Sequence, residues 1–481
     1  MITRRFIKSS IIYSIAGALP MASAVILLPF YQSQLSIDQF GILSLYLAFA
    51  ILIQIITTAS FDASLYLHFH DFKNNLKELH RFISSAFITV LLVSAAVTVA
   101  TIVIGPWVFA FWLPEDASFY PYGIMAMATG IFQSVVKVNN SRLQSEQRPM
   151  DYLIVNCSNF GFTVLFTVLG LHFYPSTLVG PIGGRMLAFL FTGSWILTSV
   201  FRQFGMIWDR TLLHSTLRYN AYQFLYQLQQ WIIGYADRFI MVILVATADL
   251  GVYDFTIKCL LILDFVIAAV YNSFFPKVLS LASDQERKGT TPEINRYFHG
   301  LTSIVLILIS FSIVTLPELL AFTKPEYAVS AYFIPWLALI YVMRPIRYYF
   351  SLPYNILKES KPLPIIFLLV SIAKLGLSVL LIRDYSIFGA LTATLVGTLL
   401  ETILMGTWMR HRFSFIFNWK KILLAPALFM IMVLVLEPLA HPYSFWIHVI
   451  YFITTVLLLA WLYRKEVPLV LKPFGKIFNQ A

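Results

Sequence analysis

Eleven charged side chains interrupt the long apolar runs of this sequence, six of them basic and five acidic. A charge in bilayer hydrocarbon costs about 2.5–3.5 kcal/mol on insertion scales, so such residues normally face a bundle interior or a wet cavity. Buried guanidinium and ammonium groups could hold an anion such as a phosphate, and carboxylates could bind Na⁺ or a proton. The basic residues are Arg185, Arg238, Lys258, Arg344, Arg347 and Lys374, and the acidic residues are Asp62, Asp237, Asp254, Asp264 and Glu401.

The six basic residues fall at different depths when about 1.5 Å is allowed for each helical residue. If they share a cavity, they form a cationic ladder across the membrane and are the candidate substrate-binding residues. Arg185 and Lys258 lie about 10 Å below the outer surface, Arg238 lies in the outer third, Lys374 lies near the middle, and Arg344 and Arg347 lie in the inner third.

The spacing of Arg344 and Arg347 places both on one helix face with Tyr341 and Tyr348. No acidic residue is close in sequence to Arg344, Arg347 or Arg185. We therefore expect these arginines to engage an anion.

Structural pairing is the alternative for the same charges. Asp254 and Lys258 are spaced i, i+4 and could neutralise each other. Lys374 and Glu401 have similar depths on consecutive helices and could also pair. Arg344 and Arg347 could instead extend to the inner surface. As coupling sites for Na⁺ or H⁺, the candidates are Asp62, Asp254, Asp264 and Glu401.

The composition requires a membrane environment. Of 481 residues, 59% are hydrophobic and only 12% are charged, whereas soluble domains carry about 25% charged residues. Soluble enzymes and nucleic-acid-binding modules are thereby excluded. We predict an all-α polytopic membrane protein, because the apolar runs are about twice as long as membrane strands. Fourteen runs qualify: 9–30, 40–60, 82–104, 119–137, 151–171, 177–200, 220–245, 250–274, 299–317, 329–350, 363–382, 387–409, 422–438 and 444–463.

The distribution of basic residues predicts the orientation. Of 34 basic residues, 26 fall in segments on the side of the N-terminus, Lys137 among them, and two, Lys324 and Arg383, fall opposite. Because basic loops stay in the cytoplasm, both termini are predicted to be cytoplasmic. The signal-like start is interpreted as an uncleaved first helix, since its removal would break this alternation.

Motifs for metal binding, nucleotide binding or hydrolysis are weak or missing. His68, His70 and Asp71 resemble metal ligands, but they lie in a predicted loop beside the membrane, and no metal is expected. A phosphate-binding G-x-x-x-x-G-K-[ST] loop, a G-x-S-x-G elbow and an H-E-x-x-H helix are all missing from the sequence. ATP is therefore not expected to drive the protein directly.

Short motifs at three helix junctions resemble the Wzx-like polysaccharide or O-antigen flippases of the multidrug/oligosaccharidyl-lipid/polysaccharide exporter superfamily. The resemblance spans almost the whole chain, and its motifs identify the family better than the cargo. They are Leu27-Leu28-Pro29 with 35–41 (LSIDQFG), Ala236-Asp237-Arg238 with 249–253 (DLGVY), and 387–394 (IFGALTAT).

The resemblance implies two helical lobes around a central cavity, with two further helices at the C-terminus. The corresponding boundaries are 1–219, 220–410 and 411–481. It also implies alternating access that moves an undecaprenyl-diphosphate-linked oligosaccharide across the bacterial inner membrane. The lipid tail stays in membrane lipid, no cofactor is needed, and glycan polymerase machinery is a further expected partner.

Three other functions are weighed against this one. A drug/cation antiporter of the same superfamily should favour acidic residues, whereas the interior here holds six basic and five acidic ones. A membrane-embedded polymerase or ligase needs a large outer loop, and the predicted outer loops are short, so no enzyme is expected. A non-transporting scaffold would not require Arg344 and Arg347 inside a span.

Overall fold

A computed structural model describes residues 4–72, 75–283, 289–357, 361–416, 418–440 and 445–468. Within these ranges the chain is helical without β-strands, which confirms the predicted all-α class. Some basic residues that carry the orientation prediction, such as Arg287 and Lys472, lie outside the described residues.

The described residues form seventeen α-helices, several of which are pieces of one longer span. They are α1 Arg4–Ile26, α2 Leu28–Gln34, α3 Ile37–Thr58, α4 Phe61–Phe72, α5 Leu76–Trp112, α6 Ile124–Ser145, α7 Pro149–Phe173, α8 Val179–Phe204, α9 Arg210–Leu244, α10 Thr247–Ser283, α11 Pro292–Leu320, α12 Pro325–Ala328, α13 Ile334–Val342, α14 Arg344–Ile356, α15 Leu363–Met409, α16 Ala425–Ala440 and α17 Phe445–Leu462.

Each of the fourteen predicted apolar runs coincides with helix in the described residues. Nine helical segments there are long and apolar enough to cross a membrane. One of them, α15, bends at Ser386 (φ 47°) and so contains two of the predicted spans. The remaining predicted spans correspond to α6, α9, α16 and α17, which are more polar or shorter than the nine. The protein is thus a multi-pass membrane protein.

Helix ends are set by local sequence signals. Ser36 caps α3: its hydroxyl accepts the backbone N–H of Gln39, whose side chain accepts the N–H of Ser36. The side chains of Asp209 and Thr291 cap α9 and α11 by accepting backbone N–H groups of the first helical turn. Because these capping residues set the helix ends, several helices begin outside the apolar runs from which they were predicted.

The chain divides into two compact units, Met1–Gly251 and Val252–Ala481. In the first unit α3 approaches the start of α10 closely, because a Cβ at Gly41 would clash with the Thr247 carbonyl oxygen. Asp38 also accepts a hydrogen bond from the Thr247 hydroxyl at 2.7 Å. In the second unit α11 packs against α13 and α17, and α14 packs against α15. The lobe boundaries expected at 219/220 and 410/411 stay a prediction.

Candidate functional site

Arg344 in the second unit lies at the first position of α14, where the chain bends after α13 and Pro345 follows. Its Nη2 lies 3.0 Å from Oδ1 of Asp264 on α10. The hydroxyl of Tyr341 donates to the other oxygen of Asp264 at 3.0 Å, and its ring lies under the guanidinium. The Asp264 carboxylate thus binds Arg344 through one oxygen and Tyr341 through the other.

Arg347, one turn further along α14, makes a second ion pair. Its Nε donates to Oε1 of Glu401 on α15 at 2.7 Å. The Glu401 side chain is only 5% exposed, whereas that of Arg347 is 28% exposed and that of Arg344 is 30% exposed. Both arginine side chains are therefore partly exposed, although each has a counter-ion.

A stacked aromatic pair lies beside these arginines. The rings of Tyr348 on α14 and Tyr271 on α10 are parallel, with centroids 4.1 Å apart. Of the four residues predicted to share one helix face, Tyr341, Arg344 and Tyr348 contact α10, whereas Arg347 contacts α15. Asp264 and Glu401 were predicted as ion-coupling candidates, and Glu401 also as a partner of Lys374, but their pairing with Arg344 and Arg347 was not predicted.

Two other pairs join residues that are close in sequence. Lys258 Nζ lies 2.5 Å from Oδ2 of Asp254, as the i, i+4 spacing predicts, and both side chains are buried. Arg238 Nη1 lies 3.2 Å from Oδ1 of Asp237 and donates to the Gly234 carbonyl at 2.9 Å. These charges neutralise each other within single helices.

Arg185 on α8 differs from those arginines. Among the described residues no carboxylate lies within ion-pair distance of it, and its buried Nε has no hydrogen-bond partner. The buried phenol of Tyr31 on α2 lies next to it, and that phenol also lies next to the buried hydroxyl of Thr167 on α7. Arg185 is thus a half-buried cation without a carboxylate counter-ion among the described residues.

Lys374 is buried on the first half of α15. Its aliphatic stem packs against Gly397, where an added Cβ would lie 3.6–3.7 Å from the stem carbons. Glu401, its expected partner, bonds to Arg347. The predicted pairing of Lys374 with Glu401 stays a prediction.

Asp62 belongs to a polar cluster in the first unit that the sequence analysis missed. Lys137 Nζ on α6 lies 3.3 Å from Oδ2 of Asp62 and donates to Oε1 of Gln227 on α9 at 2.7 Å. The Gln227 amide donates in turn to Asp62 and to the Ser60 hydroxyl. Lys137 was counted as a loop cation, because the apolar run ends there although α6 continues to Ser145.

The turn between α3 and α4 makes this cluster possible. Ala59 and Ser60 adopt left-handed backbone conformations, with φ of 45° and 58°. This turn interrupts the helix, and Asp62 then lies in the first turn of α4. The four predicted coupling acids, Asp62, Asp254, Asp264 and Glu401, therefore each contact a basic residue.

His68, His70 and Asp71 resemble metal ligands in the sequence, but no metal is predicted there. His68 Nδ1 and Asp71 Oδ2 are 2.8 Å apart on α4, and the side chain of His70 lies outside the described residues. Within the part that the structure describes, no group of three histidine, cysteine, aspartate or glutamate side chains could hold a metal ion.

Comparison with solved structures gives the fold of the described helices. The chain is similar to a lipid II flippase MurJ in an inward closed conformation, with a TM-score of 0.73 at 14% identity over 94% of this chain and 99% of that one. It is also similar to the MATE multidrug transporter DinF-BH, with a TM-score of 0.61 at 14% identity over 85% and 96% of the two chains. An inward-facing multidrug resistance MATE family transporter of the MOP superfamily matches with a TM-score of 0.56 at 12% identity, over 84% of this chain and 93% of that one. The fold is therefore a MurJ- and MATE-like all-helical transporter fold.

Sequence comparison gives the family. The Lsg locus putative protein 1 of Haemophilus influenzae is 21% identical over 328 residues, which are 66% of this chain and 74% of that protein. Residues 6–282, more than half of the chain, match the family described as "Polysaccharide biosynthesis protein". With the predicted resemblance to polysaccharide flippases thereby confirmed, the chain belongs to the polysaccharide biosynthesis protein family of membrane proteins.

Proposed function

We propose that this protein flips an undecaprenyl-diphosphate-linked oligosaccharide, an O-antigen or exopolysaccharide repeat unit, across the bacterial inner membrane by alternating access. The observation that carries the proposal is the pair Arg344 and Arg347, two partly exposed arginine side chains one turn apart on α14. The family match and the flippase and exporter relatives support it. The chain then acts as a transporter and not as an enzyme.

A diphosphate suits this arrangement because it can replace the carboxylates. Guanidinium groups bind phosphate oxygens through two parallel hydrogen bonds, and they stay charged in a low dielectric. Arg344 and Arg347 are held by Asp264 and Glu401 until cargo arrives. The exchange of one anionic partner for another keeps the charge of each arginine compensated throughout.

The same exchange offers a route for ion coupling. A proton or Na⁺ that binds Asp264 or Glu401 weakens the ion pair between that carboxylate and its arginine. Binding of the diphosphate to the same arginine is then favoured. Asp62 and Asp254 face Lys137 and Lys258 in the same manner and are further coupling candidates. Arg185, Arg238, Lys258 and Lys374 complete the proposed cationic set, with Arg185 the member best suited to a second anion contact.

The proposed orientation places both termini in the cytoplasm, on the basis of the 26-to-2 distribution of basic residues. Reporter fusions after residues 35, 115, 324 and 384 should report the periplasm. Fusions after residues 75, 145, 287 and 481 should report the cytoplasm. A cytoplasmic signal at 324 would overturn the assignment of the second half of the chain.

Reconstituted liposomes test the transport proposal directly. The wild-type protein should move a fluorescent undecaprenyl-diphosphate-linked oligosaccharide between leaflets. Arg344→Gln with Arg347→Gln should abolish the movement while the protein still inserts. Lysine at both positions should retain part of the movement, since the positive charge remains but the planar guanidinium with its paired N–H donors is lost.

The matched control replaces Arg202, an exposed arginine in the last turn of α8, with glutamine, which leaves both α14 arginines in place. Full flipping by the double glutamine variant would overturn the role of the arginines. Movement of an organic cation by the wild-type protein, without movement of the lipid-linked sugar, would replace the proposal with a drug/cation antiporter. Polymerised or ligated glycan in the same liposomes would indicate an enzyme.

Glycan polymerase machinery, the further proposed partner, should co-purify with the protein from cells that make the glycan.

A further inference from the structure

A groove of about 760 Å³ in the second unit lies outside the charged cluster described above. One wall is a stripe of α15 that runs from Leu399 through Ile403 to Arg410, and the other is the face of α14 with Ile346 and Phe350. The segment 413–415 and Leu423 close the end near Arg410. Its volume lies in the range typical of small-molecule sites, about 300–1,000 Å³.

The walls of this groove are fixed by hydrogen bonds. The Thr290 N–H donates to the Ser414 carbonyl at 2.9 Å, and the Ile416 N–H donates to the Thr290 hydroxyl at 2.8 Å. Between the walls, the Tyr354 hydroxyl on α14 donates to the Met405 carbonyl on α15 at 3.1 Å. The groove is therefore preformed and need not open around a ligand.

The lining is apolar except at one end. Most lining side chains are aliphatic or aromatic, a few are hydroxyl-bearing, and Arg410 is the one that carries a charge. Ile403 is 57% exposed and opens the groove to the surroundings of the unit. A ligand that matches these walls has a long apolar part and an anionic end.

The charges around Arg410 reinforce this preference. Lys421 Nζ lies 2.7 Å from Oε1 of Glu466, so that cation is compensated. Within the described ranges no carboxylate lies within ion-pair distance of Arg410 or Lys420. Basic pockets between membrane helices on the cytoplasmic side bind anionic lipid headgroups.

We propose that this groove binds one phospholipid with an anionic headgroup, an acyl chain against Ile403 and Phe350 and the phosphate on Arg410. This lipid is a resident of the membrane and not the cargo, and its binding does not depend on the proposed transport. Because Glu401 lies on α15 beside the groove wall, a bound lipid also supports the helix that carries the counter-ion of Arg347.

Native mass spectrometry of the full chain tests this binding. The probes are phosphatidylglycerol and phosphatidylcholine with identical acyl chains. The wild-type protein should retain one phosphatidylglycerol in preference to phosphatidylcholine. Arg410→Gln should reduce this preference about fivefold, as expected from roughly 1 kcal/mol for one basic residue at an anionic surface. Arg202→Gln, a matched exposed arginine in the last turn of α8, should leave it unchanged.

A second pair of variants tests the apolar part of the site. Ile403→Trp should fill the groove and remove the retained lipid, whereas Ile453→Trp, at a similarly exposed isoleucine of α17, should not. Equal retention of the two phospholipids by the wild-type protein would overturn the proposal without any variant. Preferential retention of a polyprenyl phosphate over both phospholipids would overturn it as well, because the groove would then belong to the cargo.

Discussion

Arg185 in the first unit and the α14 arginines in the second place the same guanidinium group in opposite electrostatic surroundings. Arg344 and Arg347 each contact a carboxylate from another helix. Arg185 has a tyrosine beside it, and no carboxylate lies within ion-pair distance among the described residues. The first arrangement is neutral before any ligand arrives, whereas the second keeps a net positive charge.

Because of this difference, the effect of a mutation on folding can be told apart from its effect on transport. Removing one partner of a buried ion pair leaves the other charge uncompensated, which is more costly than losing the attraction itself. Removing Arg185 leaves no acid behind. Folding and transport effects should therefore coincide at the α14 arginines and separate at Arg185.

The largest effect should come from Glu401→Met, because it leaves Arg347 without its counter-ion. We expect a loss of about 3 kcal/mol in the free energy of unfolding, the low end for a broken buried pair since Arg347 is partly exposed. Arg347→Met together with Glu401→Met should recover most of the loss, and a double-mutant cycle on unfolding and yield measures the coupling. Rescue by Lys374→Met in place of Arg347→Met would show that Glu401 pairs mainly with Lys374.

An intermediate effect should distinguish Arg344 from Arg185. Arg344→Met leaves the partly buried Asp264 unpaired and should cost about 1–3 kcal/mol of unfolding free energy. Arg185→Met should leave the yield and the unfolding temperature close to wild type, while flipping of the lipid-linked sugar is lost. Equal destabilisation by the two substitutions, measured by thermal unfolding in one detergent, would contradict the comparison.

The smallest effect concerns the two tyrosines beside these arginines. Tyr341→Phe removes a hydrogen bond to Asp264 and should cost about 0.6 kcal/mol, the average for such bonds between membrane helices. Tyr31→Phe should cost less, because the Tyr31 hydroxyl has no hydrogen-bond partner in the described part of the chain. The same unfolding assay checks both, and a larger loss for Tyr31→Phe would reverse the expected order.

The sequence was sufficient for the helices and for the pairs within one helix. Hydropathy placed the spans because lipid leaves an apolar run few alternatives to helix, and the i, i+4 spacing of Asp254 and Lys258 led directly to their pairing. The contacts of Arg344 with Asp264 and of Arg347 with Glu401 were not predictable, since hydropathy does not say which helix faces which. Lys137 was placed in a loop because a helix can continue beyond its apolar run.

The turn between α3 and α4 has a consequence for the substitutions that the chain tolerates. Ala59 and Ser60 are non-glycine residues in left-handed conformations, which cost roughly 1–2 kcal/mol each for residues with a Cβ. Glycine removes that cost at position 59, whereas at position 60 it also deletes the hydroxyl that accepts from Gln227. A deep mutational scan should therefore find glycine and asparagine enriched at 59, valine and isoleucine depleted at both positions, and serine retained at 60.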